Sequence, residues 1–312
     1  MSSRYILFLI LGLDALILLF QIDGLSISYN EALLLDKEFS FLGLLIKLSL
    51  LILGNNDFAL RIPMIILHLL SAVLLYKISA NYIKIDRNKL WLVFIFILLP
   101  GVISSALVVN SAGLIIFGLF LFVYVFQNYS IKYSTLLLFM LMLIDGAFVS
   151  LFISLMIFSL YKEKKNFFFF NLVLFLSSLY IYGIDIHGSP KGYFLNSIGI
   201  YAAIFSPIIF IYLFYVLYRK YLTKEFDLLW FVATSAFVFS LLLSFRQRVA
   251  IEQFAPYVIL ALPLVGQVFE HSYRVRLNIF RKNYKTVFIV SIVLLLINSS
   301  VMFFNKYIYM VI

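Results

Sequence analysis

Apolar residues run through this chain in long blocks, separated by short polar knots. Blocks near 4–22, 58–80, 89–107, 110–127, 166–183, 196–218, 228–245, 254–270 and 286–304 each have roughly the 17–25 residues that a helix needs to cross hydrocarbon. The block at 134–161, "STLLLFMLMLIDGAFVSLFISLMIFSLY", reads either as one long helix or as a hairpin of two short ones broken at Asp145-Gly146. Transmembrane barrels show shorter segments of alternating polarity, so the pattern predicts helices.

Composition agrees. With 64% apolar and 12% charged residues among 312, and a mean hydropathy of +1.09, a soluble globular domain is excluded. Zero cysteines excludes disulfides and thiolate metal sites. The net charge of +10 does not point to nucleic acid, because Lys and Arg in membrane proteins mostly record which loops stay in the cytoplasm. The first block follows Arg4 like a signal peptide, but no small-residue cleavage site follows in "QIDGLSISYN", and the segment is expected to stay as the first helix.

Charge bias decides the ambiguous block. With a hairpin, 17 of the 24 basic residues fall on one side, leaving Lys37, Lys47, Arg61, Lys191, Arg246, Arg248 and Lys306 on the other. A single helix flips every later loop and removes the asymmetry. The hairpin reading gives an all-α polytopic protein of about 11 spans, with the N-terminus cytoplasmic and the C-terminus outside. Asp23, Glu31, Asp36, Glu38, Asp57, Asp145, Asp185 and Glu252 then fall at or near the outer face.

Residues 23–57 make a long first outer loop. "YNEALLLDKEF" predicts a short amphipathic helix, and "FLGLLIKLSLLIL" (41–53), too short to cross, predicts a second helix lying along the interface. Then "GNNDFALRIP" (54–63) opens the second span, with Asn55 and Asn56 as turn and cap residues, Pro63 in the first helical turns and Arg61 at the membrane boundary. A charge there is costly unless it is paired or useful.

The order of these features, with "SYNEALLL" (28–35), "GNNDFALRIPMIILHLLSAVLLYKIS" (54–79) and the broken block "LMLIDGAFVSLFISLMIFSLYKEKKN" (141–166), resembles the GT-C glycosyltransferases, nearest the protein mannosyltransferase and aminoarabinose transferase group. The resemblance covers residues 1–165 as a transmembrane module. Residues 166–312 are expected to form a variable C-terminal module, with no soluble outer domain. Two positions depart from the family: Asn30 stands where an acidic pair is usual, and "VVNSAGL" puts Asn110 where an acid is frequent. The resemblance implies transfer of a sugar from a polyprenyl-phosphate carrier to a glycan, lipid or protein acceptor on the outer face of a bacterial inner membrane. The partners it implies are that donor, the acceptor and membrane lipid, with no nucleic acid.

Such chemistry needs a carboxylate for the acceptor's proton, cations for the leaving phosphate and a groove for the lipid. Glu31 is the candidate base, against its reading as a helix-start glutamate favoured by the dipole. Substrate-binding candidates are Asn30, Asp57, Arg61, Asp145, Lys191, Arg246 and Arg248. Arg61 is expected to face a cavity shared with Glu31 and clamp phosphate, steadied by Asp57 one turn earlier; alternatively it snorkels while Asp57 caps the helix. Arg246 and Arg248 either meet phosphate or instead pair with Glu252 or lipid headgroups. Asp145 either binds substrate or a divalent cation, the one cofactor candidate, or simply makes a turn. Asp185 and His187 do not make a metal site. Asp14, in the middle of the first span, is expected to be structural rather than catalytic, either protonated or hydrogen-bonded to a neighbouring helix. Two other classes compete: a flippase or transporter of lipid-linked glycan, and a catalytically inactive GT-C-like protein that binds the lipid carrier.

Overall fold

The computed structural model describes residues 3–22, 24–28, 31–32, 40–183 and 192–303. Regular structure among them is helical. In chain order the helices are α1 Ser3–Ile22, α2 Phe41–Leu53, α3 Asp57–Ser79, α4 Asp86–Leu98, α5 Pro100–Leu107, α6 Ser111–Asn128, α7 Ile131–Ile144, α8 Val149–Tyr161, α9 Lys165–Tyr182, α10 Phe194–Phe205, α11 Pro207–Thr223, α12 Leu228–Ser244, α13 Ile251–Ile259, α14 Leu262–Val275 and α15 Asn278–Phe303. A 3-10 turn, Gly146–Phe148, joins α7 to α8. Among the described residues, six helical segments are long and apolar enough to cross a membrane, or up to eight if each bent pair counts as one span.

The block at 134–161 folds as the hairpin. α7 stops at Ile144, and Asp145 caps the 3-10 turn by accepting the Ala147 amide at 2.8 Å. The chain then returns: Phe158 of α8 and Phe167 of α9 both meet Phe126 near the end of α6 (ring centroids 6.1 and 6.2 Å). The far end of α9 reaches the apex, where Tyr182 packs against Gly146.

Two blocks read as straight spans are bent. Pro100 starts α5 at 62° to α4, and Pro207 starts α11 at 105° to α10. Proline removes a backbone donor and forbids a straight continuation. At the first bend the Leu98 carbonyl is taken by Ser299 Oγ of α15 at 3.1 Å. The same logic docks α2. Pro63 cannot donate to the Ala59 carbonyl one turn earlier, and Ser49 Oγ of α2 donates to that oxygen at 2.5 Å. Where no water is at hand, a freed carbonyl must find a donor in the protein.

α3, α6 and the α13–α14 pair are largely buried, whereas α1, α9 and α15 present most of their apolar surface outward. A methyl added at Gly113 of α6 would meet Met64 Cε and the Ser105 carbonyl at under 3 Å. The absence of a side chain there lets α3, α5 and α6 meet beside the α5–α6 turn.

Contacts sort the connections into two ends. At one end, Ser3 meets Asp86 (3.5 Å), Asn81 meets Gln127 (2.8 Å), Asn88 meets Glu270 (3.3 Å) and Arg219 meets Ser272 (2.7 Å). At the other, the Tyr193 amide meets the Ser244 carbonyl (3.0 Å), Gln21 meets the Phe303 carbonyl (2.9 Å) and Tyr257 Oη donates to the Ala147 carbonyl (2.7 Å). The first end gathers the loops in which the charge pattern concentrates Lys and Arg.

Candidate functional site

Residue Glu31 sits in a reciprocal cap. The Ser28 amide donates to Glu31 Oε2 at 2.7 Å, and the Glu31 amide donates to Ser28 Oγ at 3.3 Å. That is the S-x-x-E capping box, in which each side chain satisfies a backbone donor at the helix start. The other oxygen, Oε1, accepts the Val109 amide at 2.9 Å. One carboxylate thus ties the chain that follows α1 to the α5–α6 turn, and it is 2% exposed.

Arg61 of α3 lies against it, with Nη2 3.8 Å from Glu31 Oε2 and both side chains 1% exposed. Nη1 donates to the carbonyls of Ile22 and Leu25 (3.2 and 3.0 Å), and Nη2 to that of Ser26 (3.1 Å). Because α1 ends at Ile22, its last carbonyls lack helical partners, and a cation there also complements the dipole. Only Nε lacks a partner. The fork is engaged with its own protein, not presented to solvent. Asp57 does not steady it: Asp57 is exposed in the first turn, no ion pair between the two forms, and the cap is Asn56, whose Oδ1 accepts the Ala59 amide at 2.7 Å.

Beside this node is a cavity of about 300 Å³. The α4–α5 bend opens it, with Pro100 and Gly101 on one wall, Ile200 and Ile204 of α10 on another, and Ala255 and Pro256 of α13 on a third. Its polar groups are Ser104, Asn110 and Glu252. Asn110 follows the residue whose amide holds Glu31 and caps α6 by accepting the Ala112 amide at 3.0 Å. Glu31 and Arg61 do not line the cavity. Glu252 does, in the first turn of α13, and it is exposed.

Arg246 and Arg248 are exposed in the segment leading into α13, and among the described residues neither pairs with Glu252 or any other carboxylate. Four residues of extended chain reach at most about 14 Å, which bounds the backbone separation of Arg248 from Glu252. Asp145 is half-buried at the hairpin apex as a turn cap. Tyr257 of α13 holds that apex through the Ala147 carbonyl. Asn30 and Lys191, like Asp23, Asp36, Glu38, Asp185, His187 and most of the amphipathic segment 29–39, lie outside the described residues. No group of three His, Asp or Glu suited to a metal is present among the described residues.

His68 is a residue that the sequence pattern does not single out. It lies in the middle of α3, buried, with Nε2 2.8 Å from Asp14 Oδ2 of α1, so of the two states open to Asp14 the structure shows the hydrogen bond to a neighbouring helix. The imidazole stacks on Phe96 (5.7 Å, 12°), and Nδ1 has no partner. The available signal was a titratable residue near the middle of each of two consecutive apolar spans, which favours mutual pairing.

At the opposite end, Asp227 caps α12 by accepting the Trp230 amide at 2.9 Å. Burial pushes its carboxyl pKa up, with the Trp230 bond and the charge on Lys220 pulling the other way. In comparison with known proteins, no family model, no curated protein and no solved structure matches this chain.

Proposed function

We propose that the chain is a GT-C-like membrane glycosyltransferase that moves a sugar from a polyprenyl-phosphate donor to an acceptor at the end of the fold that carries Glu31, Asn110 and Glu252. In this reading α7, α8 and α12 also cross the bilayer, giving eleven spans, with that end on the outer face of a bacterial inner membrane. The observation that carries it is the apolar-walled cavity with Ser104, Asn110 and Glu252 as its polar groups, next to a segment bearing two exposed arginines. Apolar walls suit a lipid chain, guanidinium suits its phosphate, and a carboxylate facing the cavity suits the acceptor's proton.

The geometry redistributes the roles expected from the sequence. A general base needs hydrogen-bond reach to its substrate. Glu252 borders the cavity, whereas Glu31 is buried, with both oxygens accepting amide bonds. We therefore assign the proton to Glu252, phosphate to Arg246 and Arg248, and to Glu31 and Arg61 the positioning of the turn that carries Asn110.

Purified protein, incubated with radiolabelled polyprenyl-phosphate sugars and a panel of acceptors, tests this. Transfer should occur, fall at least about a hundredfold in Glu252→Gln, and weaken through donor affinity in Arg246→Gln and Arg248→Gln. Donor binding without turnover, unchanged in Glu252→Gln, would favour the second reading, an inactive GT-C-like binder of the lipid carrier. The engagement of Glu31 by its own chain is the observation that favours that alternative.

A further inference from the structure

The other end of the molecule holds an arginine with no assigned work. Arg276, in the connection between α14 and α15, lies with its guanidinium 4.2 Å from the centre of the Tyr284 ring. Tyr284 is itself fixed: its hydroxyl is 2.7 Å from that of Tyr212 on α11, and its ring stacks on Phe269 (4.9 Å, 21°). Nothing described takes the hydrogen-bonding edges of Arg276, and the residue is exposed. Arg281 braces the same connection, giving Nε to the Arg276 carbonyl (2.9 Å) and Nη2 to the Arg274 carbonyl (3.0 Å).

Among the described residues no carboxylate pairs with Arg276. Glu270 is engaged by Arg274 (2.9 Å) and Asn88, and no acidic residue follows it in the sequence. Lys282 and Lys285, on the first turns of α15, are exposed. Val275, Leu277, Ile279 and Phe280 alternate with these cations, each more than half exposed. Cations interleaved with outward apolar side chains, where two apolar helices end, match the headgroup layer, with the apolar groups entering the leaflet and the cations meeting phosphate.

We infer that Arg276, with Lys282 and Lys285, forms a binding site for the phosphate of an anionic membrane lipid in the leaflet at this end. A stacked guanidinium loses little freedom when it takes two phosphate oxygens, and it offers them a planar fork. The positive-inside bias accounts for charge in these loops, but not for a stacked, braced arginine with its edges free.

The test is native mass spectrometry of the purified protein titrated with phosphatidylglycerol or phosphatidylcholine. Wild type should retain phosphatidylglycerol preferentially. Arg276→Gln should lower that preference about fivefold, the worth of one basic residue near an anionic surface. Arg276→Lys should recover it only partly, since it lacks the fork. Lys282→Gln with Lys285→Gln removes two cations that make no described contact and keeps the test open if Arg276 variants fold poorly; it too should lower the preference. Lys164→Gln with Lys165→Gln, an equal charge loss in another loop, should leave it intact. Equal loss in that control, or unchanged retention in both test variants, would overturn the site. Full displacement by inorganic phosphate at matched phosphate concentration would assign it to a free anion and overturn the lipid.

Discussion

Glu31 Oε2 and Arg61 Nη2 lie 3.8 Å apart with both side chains sealed from solvent, and between them they hold three separate stretches of chain. Glu31 grips the Val109 amide, and Arg61 grips the carbonyls that follow α1. Removing one partner leaves a buried charge alone, at a cost of about 3–5 kcal/mol. Arg61→Met should therefore unfold in detergent well below wild type. Glu31→Gln in combination with Arg61→Met should add much less than its effect alone. Arg61→Lys should also lose stability, because an ammonium cannot span the Ile22, Leu25 and Ser26 carbonyls. Wild-type melting in Arg61→Lys would return the residue to a snorkelling role.

Docking of α2 hangs on a carbonyl that Pro63 leaves free. Ser49→Ala should cost about 1 kcal/mol. In a Pro63→Ala background the cost should shrink, because the substituted residue brings the missing amide to the Ala59 carbonyl. Equal losses in the two backgrounds, in a double-mutant cycle by chemical unfolding, would sever that link.

The Asp14–His68 pair joins α1 to α3. Asp14→Ala and His68→Ala, each destabilising, should show a coupling of about 0.6–2 kcal/mol, the range for hydrogen bonds between membrane helices. Additive effects would mean that the helices pack without it.

Asp227 makes a pH prediction. Burial raises its pKa, so the folded chain holds this proton more tightly than the unfolded one, whose carboxyl titrates near about 3.9. The group therefore weakens the fold as pH rises from that value through the higher folded one. Asparagine also caps helices and carries no charge. Melting of Asp227→Asn and wild type should coincide at the acid limit, with the variant gaining as pH rises. A constant difference across pH would remove Asp227 from the linkage.

The chain has no cysteine, so single cysteines report topology cleanly. Cysteines replacing Lys164 and Lys224 should label alike with an impermeant thiol reagent, and one replacing Arg248 oppositely. Identical labelling of all three would break the assignment of loops to two ends.

What the amino-acid order determined by itself is whatever depends on local composition and near neighbours. Hydrophobic length gave helices, six to eight of them among the described residues able to cross a membrane, and the short helix predicted over 41–53 is α2 with the same bounds. Charge bias chose the hairpin at Asp145, which local periodicity left open. Pro100 and Pro207 were visible, yet their bends were not read, because a proline marks a break without giving its angle. Tertiary structure decided the partners. Whether Arg61 faces phosphate or backbone depends on where α1 ends in space, and Glu252 became the cavity's carboxylate only because α13 packs on α6, across the cavity from the α4–α5 bend. His68 meets Asp14 across 54 residues of sequence. A polar side chain in an apolar span declares its need for a partner, but packing alone determines which partner stands at its depth.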